Sequence, residues 1–190
     1  MFGWLAARST PFCRYAPQTL LSRRTRRMTP QVLMRHLPGL GSVLYLHATS
    51  SSVVTDALAV GVLVAQRDFA PLLDTRWLVA TSVVTDDGPR EWCDFVDHYG
   101  RPRARLHLLP DTDYLAWDAL MNSRGSLDAP PPAWPGGQLL RPDNASVVNF
   151  QLRELAGLML LDRGTPAALS LLGDRVAAHI ASAESAVLSK

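Results

Sequence analysis

The sequence predicts an α+β fold, an antiparallel β-sheet with helices packed on it. Three observations carry that expectation. Residues 76–109 read as three consecutive strands joined by short turns. Apolar stretches at helical spacing lie on both sides of them. The 190 residues are 47% hydrophobic and 19% charged, enough to bury one core and too apolar for wholesale disorder. One domain is expected over residues 28–190.

Taken in order, Pro30–Leu37 places Val32, Leu33 and Leu37 at helical spacing and stops at Pro38-Gly39. Ser42–Ala48 is a strand. Val53–Val54 and Ala57–Ala65 make another apolar, β-rich stretch. Arg76–Thr85 is the clearest strand, rich in β-branched residues and ended by the turn signal Asp86-Asp87-Gly88-Pro89. Arg90–Val96 pairs back across that turn. Asp97-His98-Tyr99-Gly100 is the next turn, and Arg103–Leu109 alternates as a half-exposed strand should. Asp111 or Thr112 then caps a helix whose inner residues are Leu115, Ala116, Ala119 and Leu120, with Asp113 at the positive end of its dipole. Ser126–Asp143, with five Pro and paired Gly, is a linker or long loop. Val147–Asp162 carries Leu152, Leu155, Ala156, Met159 and Leu160 as a helical stripe. Arg163-Gly164-Thr165-Pro166 breaks it, and a last helix capped by Thr165 runs to about Val187.

Charge is divided along the chain. Residues 1–55 contain seven Arg and no Asp or Glu; the rest holds the 17 acids against 11 Arg and one Lys. The front is +7 and the remainder −5. Residues 1–27 are expected to be a basic, disordered arm or an extension upstream of a start at Met28. A transit-type leader and a binding arm are the alternatives. Arg used almost to the exclusion of Lys, beside much Ala and Leu, reads as GC-rich coding and speaks against a nucleic-acid surface. No run of eighteen apolar residues predicts a membrane span. Cys13 and Cys93 are too few for a disulfide framework or a cysteine-only zinc site, and a reduced cytoplasm is the simplest compartment.

Familiar catalytic motifs do not occur. Gly39-Leu40-Gly41 is too short for a dinucleotide fingerprint, and there is no His-Glu-x-x-His or Gly-x-Ser-x-Gly pattern. The hydroxyls of Thr49–Ser52 read as a turn, and the Asp86-Asp87 pair as solvated. None of the five histidines pairs at zinc-like spacing. His47 ends a strand, where it faces either solvent or a pocket. His107 shares a strand face with Arg103 and Arg105, which reads as a polar outer face or as a cationic seat for an anion.

Three stretches together resemble a known family. They are Leu33–Leu46 (helix, Leu-Gly turn, first strand), Leu73-Asp74-Thr75-Arg76-Trp77, and Asp94–Gly100 with Arg105-Leu106 and Thr112–Trp117. In order and spacing they resemble the bacterial hemin-utilisation family of the HemS type, the hemin-transport or hemin-degrading proteins. The resemblance implies an α+β unit that encloses haem with its sheet and helices. Larger members carry two such units and this chain is long enough for one, so a homodimer would rebuild the missing half. It implies a cytoplasmic haem-binding or haem-trafficking protein, with a part in haem breakdown left open and no catalytic residue assigned. The alternative is a non-enzymatic member of the same fold acting as an interaction or regulatory module. The chain departs from the family where a Val-His-Glu segment becomes Ser52-Val53-Val54-Thr55, and where a His-Lys pair becomes Ala104-Arg105. Haem needs an axial ligand and cations for its propionates. The candidate metal ligand is His47, with His107 as the alternative to it; Arg76, Arg103 and Arg105 are the candidate propionate partners.

Overall fold

The computed structural model describes residues 19–48, 61–123, 140–165 and 167–189. Strand β1 (Thr19–Arg27) precedes helix α1 (Pro30–His36), whose first turn carries Pro30 and whose Thr29 cap accepts from the Val32 N–H at 3.4 Å. A 3₁₀ turn over Leu37–Leu40 feeds β2 (Gly41–His47). After β3 (Val62–Val64) and a 3₁₀ segment over Arg67–Asp74 come β4 (Trp77–Thr85), β5 (Gly88–Val96) and β6 (Pro102–Thr112). Helix α2 (Tyr114–Asn122), the hairpin β7 (Asn144–Leu155) and β8 (Leu158–Arg163), helix α3 (Leu171–Ala183) and β9 (Val187–Ser189) complete the order.

The strands form one sheet in the order β1-β4-β5-β6-β2-β7-β8-β3, with β9 beside the start of β7. Every pair along β1 to β8 is antiparallel; β3 on β8 and β9 on β7 are parallel. Directly paired residues share a face. Val43 opposite Leu108, Tyr45 opposite Leu106 and His47 opposite Ala104 therefore lie on one face, called inner here. Leu44 opposite His107 and Leu46 opposite Arg105 lie on the other, outer face. The inner face is packed by α1, α2 and both 3₁₀ segments through Leu33, Leu37, Phe69, Leu72, Trp117 and Leu120. Each such buried side chain is worth about 1.5–3 kcal/mol of transfer free energy. The outer face has a smaller cluster, Leu44, Leu46, Leu109 and Ala145 under Ala177, Ile180 and Ala181 of α3.

The meander β4-β5-β6 follows the turn signals of the sequence, with Asp97 Oδ1 accepting from the N–H groups of Tyr99 and Arg101 in the second turn. Three expectations change. Residues 147–162 form no helix: they belong to the β7–β8 hairpin, turned at Ala156 (φ 51°) and Gly157 (φ 78°). Two positive φ values in a two-residue loop match the twist of antiparallel strands. The supposed apolar stripe does not pack as one, for Leu155 is 55% exposed. Second, β6 continues to Thr112, so Asp113 caps α2 by accepting from Leu115 and Ala116. The buried residues of α2 are accordingly Trp117, Leu120 and Met121, and Leu115 faces solvent. Third, the last helix starts at Leu171 under a Ser170 cap, and Val187 belongs to β9.

Thr19–Arg27, assigned by composition to a basic arm, is paired with β4 along its length. Residues 1–18, the Thr49–Ser52 turn, the Val53–Val54 stretch and most of the 126–143 loop lie outside the described residues. None of the described helices is long and apolar enough to cross a membrane.

Candidate functional site

The five sequence candidates do not converge on one place. Arg105 and His107 share the outer face with Trp92 and Asp94 of β5. His47 is on the inner face, at the end of β2. Arg76 and Arg103 flank a third position, the Asp74 carboxyl. Burial pushes that carboxyl up, Arg103 and then Arg76 work to lower it, and Asp97 adds to the rise. Arg76 is tied down by its backbone, donating to Val96 O at 2.8 Å and accepting from the Met28 N–H at 2.9 Å, and its guanidinium donates to Thr75 O at 3.2 Å.

The expectation of a polar outer face around His107 is corrected by α3, which closes over it. Arg105 Nε donates to Asp94 Oδ1 at 2.7 Å and Nη1 to Glu184 Oε1 at 2.6 Å. Glu184 is the C-cap of α3. All these side chains are buried or nearly so, at 12% exposure for Arg105, 8% for Asp94 and 19% for Glu184. The guanidinium also lies over the Trp92 ring, 5.3 Å from its centroid. Burial works to lower the Arg105 pKa, but the two carboxylates override it and hold the charge more firmly. Two of the five guanidinium N–H donors are thus given to carboxylates of the same chain, which meet the Arg105 charge from within. His107 lies 3.7 Å from Glu184 Oε1, an electrostatic contact too long for a hydrogen bond, and its ring packs on Trp92. It faces Glu184 beneath α3.

The inner face holds what remains. His47 is 7% exposed, and its ring stacks on Tyr45 with centroids 5.6 Å apart and planes at 28°. The Asp68 carboxylate oxygen Oδ1 is 4.0 Å from Nε2, beyond hydrogen-bond distance. Tyr45 donates its hydroxyl to Asp68 O at 3.0 Å; burial, with Asp68 adding, pushes that phenol so far up that it stays protonated. Phe69 and Phe150 meet the Tyr45 ring edge-on.

Arg163, which the sequence reading passed over as part of a helix break, also reaches this wall. It stands opposite Phe150 at the end of β8. Its Nη2 donates to Ser146 Oγ at 3.4 Å and its Nε to Gln66 Oε1 at 3.3 Å, and its guanidinium lies 6.0 Å from the Phe69 ring centroid. Among the described residues, its side-chain hydrogen bonds go to neutral oxygens. The signal that could have found it is the Ala156-Gly157 turn, which pairs Arg163 with Phe150. His47, Arg163 and the rings of Tyr45, Phe69 and Phe150 thus belong to one face of the sheet. Cys93 is buried in the same core with its thiol pushed well up by burial, so it is no nucleophile. Among the described residues no three His, Cys, Asp or Glu side chains gather as a metal cage.

No protein-family model and no curated protein matches the chain. Among solved structures it is similar to the haem-degrading enzyme ChuS of Escherichia coli O157:H7, at 14% identity and a TM-score of 0.39. The match covers 53% of this chain and 34% of that one, so the chain spans about a third of that enzyme's length.

Proposed function

We propose that the chain binds haem on the inner face of its sheet, with His47 as the iron ligand and Arg163 as the partner of a propionate. The observation that carries the reading is His47: an imidazole buried at a strand end, stacked on Tyr45, with its Nε2 outside hydrogen-bond distance of Asp68. Neutral imidazole is a common axial ligand, and the bound iron porphyrin would supply the redox or carrier chemistry. Arg163 offers a planar donor set suited to a carboxylate. The family resemblance of residues 33–117 supports the same reading. On that resemblance the protein traffics haem or aids its breakdown in the cytoplasm, and a second copy of the chain stands in for the second unit of larger members.

The test is an absorbance titration of the purified protein with hemin, with albumin and lysozyme as comparators. The reading expects a saturable Soret band at one haem per chain or per dimer, with its position or affinity altered by His47→Ala. Absorbance no different from the comparators would remove the haem reading. A second reading, a member of the fold that acts as an interaction module, is favoured by Arg105, whose charge is committed to two carboxylates of its own chain.

A further inference from the structure

We propose that α3 forms a detachable cap over the outer face, latched by Glu184 onto Arg105 and His107 and released as pH falls.

The cap is thinly packed. The buried residues of α3 are Gly173, Ala177, Ile180 and Ala181, so Ile180 is its one large side chain that is fully buried, with Val176 partly buried beside it. By contrast α2 buries Trp117, Leu120 and Met121. Small side chains remove little apolar area from water, so polar contacts hold a larger share of the docking. At the N-terminal end, Asp111 on β6 accepts from the Ser170 N–H at 2.9 Å and its hydroxyl at 3.0 Å, in an exposed setting. At the C-terminal end sits the buried Glu184 latch.

That latch is out of balance in its closed state. With His107 neutral, two carboxylates face one guanidinium. Both His107 ring nitrogens and Trp92 Nε1 are buried without a hydrogen bond in the described structure. Lifting α3 lets water reach them, which offsets part of what opening costs. Cores closed by few apolar contacts and a polar seam are the segments that open locally, ahead of global unfolding.

The groups that face His107 set the direction of the pH response. They are Arg105 on β6, Asp94 and Trp92 on β5, and Glu184 from α3. Burial holds the imidazole below its ordinary value of 6.5, with Arg105 adding and Glu184 opposing. A base held low when closed takes up a proton on opening, so closure is fully favoured above 6.5 and weakens as pH falls from there. Burial works to raise Glu184, but His107 and Arg105 override it and hold the carboxyl below its ordinary 4.5. Its contribution is likewise present above 4.5 and lost in stronger acid, with the same sign. Outside the latch, His179 of α3 lies 2.9 Å from Asp87, but both side chains are more than half exposed and salt screens the contact. Opening uncovers Leu44, Leu46 and Leu109.

Hydrogen exchange on the full chain at high salt, corrected for intrinsic rates, tests the cap. Protection of the α3 amides should fall by up to about tenfold per pH unit between pH 6.5 and 5.5, the limit for one proton taken up, while α2 keeps its protection. Glu184→Gln should lower α3 protection already at pH 7.5. His107→Gln should flatten the dependence between 6.5 and 5.5. If α3 and α2 lose protection together at every pH in the wild-type protein, there is no separate cap. If the acid dependence survives unchanged in His107→Gln, the latch is not the trigger.

Discussion

The two faces of this sheet are built from the same strands and held by different physics. On the inner face, aromatic and long aliphatic side chains from four segments interlock, and the polar groups sit at its rim: His47 and Arg163. On the outer face one helix of small residues lies over a buried ion cluster. Alternation along β2 and β6 makes the division, since each strand sends every second residue to either side. A face closed by apolar area resists opening wherever it is touched. A face closed by charge has a lock, and what acts on the lock acts on the whole helix.

Breaking each face should therefore look different. Trp117→Ala removes a fully buried ring from the inner face and should cost about 3–5 kcal/mol in global stability by urea unfolding. Arg105→Ala leaves Asp94 and Glu184 buried without their cation; a loss of about 3 kcal/mol is expected, with exchange in α3 raised before the rest of the sheet. Gly173→Ala is the sharper case. Alanine ordinarily favours a helix over glycine by about 1 kcal/mol, but a Cβ at 173 would collide with the Asp111 carboxylate that holds Ser170. The expected outcome is weaker α3 protection with α2 unchanged. The smallest effect belongs to Arg153→Ala on the β7–β8 hairpin, whose exposed contact with Asp162 at 3.5 Å should be worth under about 0.5 kcal/mol.

The sequence shows half of this comparison. The meander was legible because Asp86–Pro89 and Asp97–Gly100 are strong turn signals between β-branched runs, but the pairing of Arg105 with Asp94 was not, since it depends on the register shift between Phe95 and Val96. The β7–β8 hairpin was not, because Leu152, Leu155, Ala156, Met159 and Leu160 fall at helical spacing by chance of composition. Val147, Val148 and Phe150 beside the Ala156-Gly157 turn were the stronger evidence for strands. That misreading hid Arg163. His107 was placed on the right strand face, yet its burial depends on a helix 70 residues later docking there, which alternation along one strand does not reveal. Nor could spacing show that His47 and His107 lie on opposite faces, since that depends on the β2–β6 register.

The most direct test of this division is one hemin titration run on two variants, His47→Ala and His107→Gln. The account predicts that His47→Ala weakens or shifts the Soret band while His107→Gln leaves it in place. A band lost in His107→Gln and untouched in His47→Ala would contradict it, and would move the ligand site beneath α3.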